Sequence, residues 1–226
     1  MAGIARQVTG IAQYFLYYCG RHQSFNGQLL RRELFDRLQA RFNFPHIVET
    51  GTLYGMTTAY FAGTGARVDS VEIDPRAHGL SRARFWGRRR VRVHLGNSLD
   101  VLPKLLEDSQ RRLNPIFFYL DAHWGEHLPL AEEVACVARN CALAVILIDD
   151  FAVPGDSGYG FDDYGPDRRL NLAYLEDVMM AYHLSAFFHA ASSQQETAAK
   201  RGCVVLVNDP GQIAKLSAMP ELRAWP

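Results

Sequence analysis

Five short stretches of this 226-residue chain carry side chains suited to binding and activating a small molecule. They are Glu49-Thr50-Gly51-Thr52, Glu72-Ile73-Asp74, Gly96-Asn97-Ser98, Asp121-Ala122-His123-Trp124 and Asp149-Asp150. Each follows directly on an apolar run, and in an open α/β sheet ligands bind beyond the carboxyl ends of the strands. The first stretch continues as Leu53-Tyr54-Gly55-Met56-Thr57-Thr58, so an apolar run, a glycine-bearing turn and a helix-like opening follow in order. Such an arrangement brings a nucleotide-like ligand against backbone N–H groups. Its glycines do not keep the G-x-G-x-x-G spacing of a dinucleotide site, which points away from NAD towards another adenosine-bearing cofactor. Gly51 and Gly55 permit close backbone approach.

The later stretches extend that chemistry. Glu72 ends the second apolar run, where a carboxylate can accept both hydroxyls of a ribose; a solvated turn acid is the alternative. Asp74, followed by Pro75, has the form of a helix N-cap. Ser98 can offer its hydroxyl to an adenine edge or cap the helix after it. Asp121, Asp149 and Asp150 are three carboxylates from two strand ends. Oxygen ligands of that kind suit Mg²⁺ or another hard cation, although a ribose hydrogen bond and a helix cap would use the same residues. An aromatic at Trp124 can pack on an adenine, and His123 or His127 can act as a base near neutral pH or serve only in packing.

The elements that must hold these groups are legible in the periodicity. Ile4, Val8, Ile11, Phe15 and Leu16 recur at helical spacing, as do Leu29, Leu30, Leu34, Phe35, Leu38 and Phe42. Strands are then predicted at 46–49, 67–73, 91–95, 116–120 and 143–148, with helices at 54–64, 76–86, 99–113 and 128–140 between them. A further helix at 170–180 precedes strands at 183–189 and 203–208, which suit a closing hairpin. Strands without polar alternation are what a parallel sheet covered on both faces requires. Repeated strand-then-helix order argues a doubly wound sheet. Residues 151–168, rich in Gly, Asp and Tyr, form a long irregular segment, and loops of that length are usually functional or disordered.

Composition excludes several classes. Lys plus Arg equals Asp plus Glu at 24 each, so the basic excess of a nucleic-acid-binding protein is missing. The local run Arg82, Arg84, Arg88, Arg89, Arg90 and Arg92 reads as a solvated helix end and loop. Cys19, Cys136, Cys141 and Cys203 contain no C-x-x-C pair, so buried free thiols in a reducing compartment are expected. No apolar run approaches the ~20 residues of a membrane span, and no signal peptide is expected. These features point to a cytoplasmic protein.

Taken in order, Ile47–Gly55, Val71-Glu72-Ile73-Asp74, Gly96-Asn97-Ser98-Leu99-Asp100, Phe118–Trp124 and Ile146–Asp150 resemble the motifs of class I S-adenosylmethionine-dependent methyltransferases. Within that family the resemblance is to the catechol O-methyltransferase-like branch, and it spans about Phe44–Gly155. It implies that the first motif lies against the methionine part of the cofactor. It also implies that Glu72 binds ribose, Ser98 contacts adenine and Trp124 lies near it. The cofactor surface so implied comprises Glu49, Thr50, Gly51, Thr52, Gly55, Thr57, Glu72, Ile73, Asn97, Ser98, Asp121 and Trp124. Asp121, Asp149 and Asp150 match a Mg²⁺ site, where the family often has Asp-Asn in place of Asp149-Asp150.

One departure bears on the acceptor. The catechol enzymes place a basic lysine after a His-Trp pair; here that position is Gly125, with Ala122 inserted before His123, and the only lysines are Lys104, Lys200 and Lys215. His123, His127 or Asp150 must then take the proton, and the acidic, aromatic loop at 153–165 suits a sugar or natural-product hydroxyl better than a flat catechol. The resulting expectation is a Rossmann-like methyltransferase fold with a doubly wound, mostly parallel seven-stranded sheet, a C-terminal antiparallel hairpin and two extra N-terminal helices. Residues 1–43 are expected as a helical cap, 44–210 as the S-adenosylmethionine-dependent domain and 211–226 as a tail. The expected activity is O-methylation of a small-molecule substrate, Mg²⁺-assisted, in a homodimer, with no nucleic-acid partner and no transmembrane segment. Two alternatives use the same scaffold: a binding protein without turnover, and an oxygenase holding iron around Asp121 and His123.

Overall fold

The computed structural model of the protein describes residues 23–107, 114–123 and 128–226. The expected helix around Ile4–Leu16, together with Cys19, Trp124 and His127, lies outside them. Within them, alternation of strand and helix gives β1 (His46–Thr50), α2 (Met56–Gly63), β2 (Arg67–Glu72), α3 (Pro75–Arg84), β3 (Val91–Leu95), α4 (Ser98–Leu106), β4 (Ile116–Leu120), α5 (Leu130–Asn140) and β5 (Ala144–Ile148), preceded by α1 (Leu29–Phe42). After a long loop come α6 (Leu172–Tyr182), β6 (Ser185–His189), β7 (Val204–Val207), α7 (Pro210–Ser217) and β8 (Leu222–Ala224).

The strands form one sheet in the order β3-β2-β1-β4-β5-β7-β6-β8. The first five run parallel, and β7, β6 and β8 add antiparallel pairs. The sheet therefore has eight strands rather than the expected seven. The eighth comes from the segment expected as a tail: Leu222 pairs with His189 and Ala224 with Phe187. That three-residue strand is too short to show a two-residue periodicity.

Register decides where the site stands. Thr50 pairs with both Val71 and Leu120, and Leu120 pairs with Ile148. The residues immediately beyond them, Gly51, Glu72, Asp121 and Asp149, consequently share one rim. Order reverses between β1 and β4, since β1 is followed across the sheet by β2 on one side while β4 leads to β5 on the other. A crevice opens at such a point.

Both sheet faces are buried, as the apolar strands demand. On one face Ile116, Phe118, Leu120, Ile146 and Ile148 pack against Leu102 and Leu105 of α4, Val134 and Val137 of α5 and Leu175 of α6. On the other, Phe117, Tyr119, Val145 and Leu147 meet Leu34, Phe35 and Leu38 of α1, Phe61 of α2 and Leu216 of α7. Rings of Phe25, Phe35, Phe61, Phe117 and Tyr119 meet there with centroid separations of 4.8 to 5.9 Å. Each such buried ring contributes about 1.5–3 kcal/mol. This cluster ties α1 to β4, and so fixes the helix that reaches the site from below.

Local signals set the helix ends. Asp74 caps α3 by accepting the Arg76 N–H at 2.7 Å, with Pro75 in the first turn. At the start of α4 it is Asn97, not Ser98, that caps, accepting the Leu99 N–H at 3.0 Å. Of the arginines expected to be solvated, Arg82, Arg88, Arg89, Arg90 and Arg92 are exposed around the end of α3 and the edge strand β3, whereas Arg84 is half-buried and donates to Tyr54 O at 3.3 Å. Cys136, Cys141 and Cys203 are buried free thiols. Beneath the sheet edge, the buried Asp69 carboxylate meets His46 Nε2 and His94 Nε2, each at 2.8 Å, and Arg67 Nε at 3.0 Å. Among the described residues no helix is long and apolar enough to cross a membrane.

Candidate functional site

A cavity of about 340 Å³ opens at the β1/β4 crevice, walled by residues that include Gly51, Leu53, Glu72, Ile73, Ser98 and Asp121. Gly51 makes the tight turn that bounds it. Its φ of +88° is glycine territory, and an added Cβ would stand 2.7 Å from the carbonyl carbon of Asp121. The turn is thus pressed against the end of β4, and its own N–H donates to Val71 O at 2.9 Å. Gly55 has a φ of +69° and starts α2, with the Phe85 ring 2.6 Å from where a Cβ would be.

Glu72 stands on the cavity wall at 6% exposure. Its Oε2 accepts the Leu53 N–H at 2.6 Å and its Oε1 accepts the Asp74 N–H at 2.8 Å. The carboxylate is held by two backbone donors, and each oxygen keeps acceptor capacity for a ligand. Beside it Leu53 and Ile73 are 45% and 58% exposed. Apolar side chains of that size open to solvent within a polar-rimmed cavity form a surface for a flat ring. Ser98 lies buried at the far wall.

Several residues expected at the cofactor stand behind the wall instead. Glu49 accepts hydrogen bonds from the Thr58 hydroxyl and, at 2.6 Å, from Ser70 Oγ. Burial lifts its pKa from 4.5 to about 7. Thr52 Oγ1 lies 2.5 Å from the same Ser70 hydroxyl. Thr57 Oγ1 accepts the Phe25 N–H at 3.1 Å, so it holds the chain before α1. Asn97 is occupied as the cap of α4. Thr50 and Ser98 turn their hydroxyls towards Glu133 of α5, a wholly buried carboxyl whose pKa burial raises to about 7. These groups brace the cavity; they do not line it, except Ser98.

Across the crevice stand the carboxylates. Asp149 differs from the expectation of a metal ligand. It is fully buried, and its carboxylate is taken up by the Arg31 guanidinium, the Tyr119 hydroxyl and, at 2.6 Å, the Asp150 N–H. Arg31 comes from α1 at 1% exposure and also donates to the carbonyls of Arg201 and Gly202. Asp121, His123 and Asp150 form the compact group: one ligand atom from each lies within 4.8 Å of the others.

His123 is 2% exposed, and neither ring nitrogen has a hydrogen-bond partner. Its Nε2 is 4.0 Å from Asp121 Oδ1 and 3.8 Å from Asp162 Oδ2. Burial pushes the His123 imidazole below its ordinary pKa, although the Asp150 and Asp162 carboxylates pull the other way. Burial, then repulsion from Asp150, pushes Asp121 well above the usual carboxylate value. Arg201 Nε donates to Asp150 Oδ1 at 2.9 Å while its Nη2 pairs with Asp162. The Tyr164 hydroxyl, 2.6 Å from Asp162 Oδ2 and 3.0 Å from the His123 carbonyl oxygen, fastens the 151–171 loop over this corner.

Arg31, Tyr119, Asp162, Tyr164 and Arg201 are thus site residues that the strand-end reasoning missed. Arg31 left a signal. It shares helical spacing with Leu34, Phe35, Leu38 and Phe42, so a charge sits on the buried stripe of α1. A buried charge needs a partner. For Arg201 no local signal exists, because its partners lie 51 and 39 residues away.

No family model matches the chain, and no curated protein matches it. Solved structures do share its architecture. An O-methyltransferase from Bacillus cereus in complex with SAH matches at 20% identity and a TM-score of 0.54, over 76% of this chain and 77% of that one. An amino pentose methyltransferase from Micromonospora echinaspora, involved in calicheamicin biosynthesis and with SAM bound, matches at 17% identity and a TM-score of 0.55, over 86% and 96%. The SAH-bound methyltransferase of Podospora anserina matches at 16% identity and a TM-score of 0.50, over 73% and 72%. The likeness is one of fold: this chain has the Rossmann-like methyltransferase fold.

Proposed function

We propose that the protein transfers a methyl group from S-adenosylmethionine to a hydroxyl of a small molecule, a sugar or natural product, with help from a divalent cation. One observation carries this reading. Asp121 lines the cavity at the glycine turn and also belongs to the Asp121–His123–Asp150 group, so a ligand site and a cation-type cluster meet at one residue.

The walls suit an adenosine. Glu72 offers two fixed acceptor oxygens for a ribose, and Leu53 and Ile73 an apolar surface for a base, with Ser98 closing the wall beside them. Gly51 lets the turn pack against the end of β4, and that turn bounds the space for the ligand's chain. S-adenosylmethionine supplies a sulfonium-activated methyl group. The protein's task is to hold donor and acceptor in line, and such positioning is worth up to about 7–11 kcal/mol of barrier.

The acceptor side suits a cation. Four carboxylates, Asp121, Asp149, Asp150 and Asp162, face two guanidinium groups, Arg31 and Arg201. With a divalent ion bound all four could ionise, Asp121 included, and the ion would balance their two-charge excess over the guanidinium groups. A cation held there would orient the acceptor hydroxyl and lower its pKa. The proton leaves towards the carboxylate–imidazole cluster, and the Tyr164-anchored loop excludes water from it.

Titration calorimetry with S-adenosylmethionine tests the reading, with Glu72→Ala as control. The expected result is one binding site per chain, weakened in the variant. Absence of binding, with and without divalent cations, would overturn it. Mass-spectrometric detection of methylated product across sugar and polyketide hydroxyl panels then tests transfer.

A further inference from the structure

We propose that Asp121, His123 and Asp150 form a mixed oxygen–nitrogen metal site, with His123 Nε2 as a ligand, that takes a transition-metal dication in preference to Mg²⁺. The site's part in activating an acceptor rests on the methyl-transfer reading above; the metal binding does not.

Geometry allows a common ion. Ligands at ~2.0–2.2 Å from one metal stand at most ~4.4 Å apart, and the three ligand atoms here already lie within 4.8 Å of one another. A small side-chain rotation closes the difference. Asp149 is excluded from the set because Arg31, Tyr119 and the Asp150 N–H occupy its carboxylate. The all-carboxylate grouping expected for Mg²⁺ is therefore not the one that the side chains form.

His123 is the second and independent observation. The ring is 2% exposed, yet both nitrogens lack partners and Nε2 points among the carboxylates of Asp121 and Asp162. A buried polar group without a partner costs about 1–3 kcal/mol. An ion at Nε2 would relieve that cost on the nitrogen that faces the carboxylates. A metal ion supplies the missing bond at Nε2, and the neutral ring is the form that ligates.

Asp150 shows the same pre-arrangement. It adopts a φ of +51°, a region that non-glycine residues enter seldom. Such strain is held where the surroundings require it. The turn lets its N–H reach Asp149 while Arg201 Nε takes Oδ1, so Oδ2 remains for an ion. Arg201 bridges to Asp162, which balances charge at the rim without closing the Asp121–His123–Asp150 face.

Imidazole suits Fe²⁺, Ni²⁺, Cu²⁺ and Zn²⁺, with Co²⁺ between Fe²⁺ and Ni²⁺ in affinity, while carboxylate-and-water sites suit Mg²⁺ and Mn²⁺ alike. Manganese and cobalt are the probes. In the metal-stripped protein, Co²⁺ should bind at one site at least about tenfold more tightly than Mg²⁺, and Mn²⁺ serves as the spectroscopic probe of the same site. The electron-spin-echo signal of bound Mn²⁺ should carry ¹⁴N modulation. His123→Asn should abolish that modulation and weaken Co²⁺ by about tenfold or more, with Mg²⁺ affinity little changed. Equal affinity for Mg²⁺ and Co²⁺, or Mn²⁺ bound without nitrogen modulation in the wild-type protein, would overturn the proposal, as would failure of every ion to bind. The wild-type spectrum needs no variant, so misfolding of His123→Asn leaves the test intact. S-adenosylmethionine titration of the same sample reports separately on methyl transfer: loss of cofactor binding with the nitrogen signal present would sink that reading alone.

Discussion

Replacing Glu133 with glutamine should flatten the pH dependence of folding stability above about pH 5. Glu133 is 0% exposed at the start of α5, and burial lifts its pKa from 4.5 to about 7 against the pull of the Ser98 and Thr50 hydroxyls. Between those two values the unfolded chain gives up this proton and the native protein keeps it. Unfolding then gains from rising pH, so this contribution to stability is fully present below pH 4.5 and lost as pH climbs through about 7. At about 1.4 kcal/mol per pH unit the loss is roughly 3 kcal/mol, a large share of the ~5–15 kcal/mol that holds a domain folded. Urea unfolding followed by circular dichroism from about pH 5 to about pH 8 measures it. The wild-type free energy should fall by roughly 3 kcal/mol more than that of Glu133→Gln over this range. Glu49, raised to about 7 by burial, adds a second slope of the same sign. Glu49→Gln/Glu133→Gln should therefore be flatter still. Parallel curves for wild type and Glu133→Gln would refute the reasoning, since the carboxyl would then ionise as freely in the fold as outside it.

Other substitutions probe other links. Gly51→Ala forces a side chain to φ +88° against the end of β4; it should destabilise the fold by at least about 1–2 kcal/mol and abolish S-adenosylmethionine binding in calorimetry. Arg31→Met strands the Asp149 carboxylate in the interior, at a cost of about 3–5 kcal/mol in denaturant unfolding; adding Asp149→Asn should recover part of that loss, and strictly additive effects would argue against the pair. Burial alone would raise the Asp69 pKa, but hydrogen bonds from His46 and His94 hold it well below its ordinary 3.8. That stabilisation is present above pH 3.8 and lost as pH falls towards the depressed value, so acid unfolding followed by circular dichroism should be shallower in Asp69→Asn than in wild type.

Much of this architecture is written locally. The strands at 116–120 and 144–148 are legible from residue type, because buried parallel strands are uninterrupted apolar runs that polar turns delimit. The shared rim followed from that, as did Gly51, Glu72 and Ser98 on the cavity wall. What local pattern could not supply was pairing. Asp149 and Asp150 are adjacent and alike in sequence, yet one is bound to Arg31 from α1 and the other to Arg201 before β7. Those partners are brought together only by the finished sheet. Thr57 and Asn97 have polar side chains that suit a ligand or a cap equally, and only coordinates tell which neighbour takes them. The short edge strand β8 escaped for a related reason: three residues carry too little periodicity, and its partner strand lies more than 30 residues earlier.

The order of strands about the crevice has a practical consequence. Gly51, Leu53, Glu72, Ile73 and Ser98 all precede residue 99, whereas Asp121, His123, Asp150, Asp162 and Arg201 all follow residue 120. On the proposed reading, most of the donor wall precedes residue 99 and the carboxylate cluster follows residue 120, the two meeting at Asp121 beside the β1/β4 seam. On that reading a recombination junction between them would exchange the acceptor side while keeping the donor wall apart from Asp121 and Ala122. α1, whose Arg31 reaches across to Asp149, would have to travel with the later block, and a glutamate matching Glu133 would have to stand beneath Thr50 and Ser98.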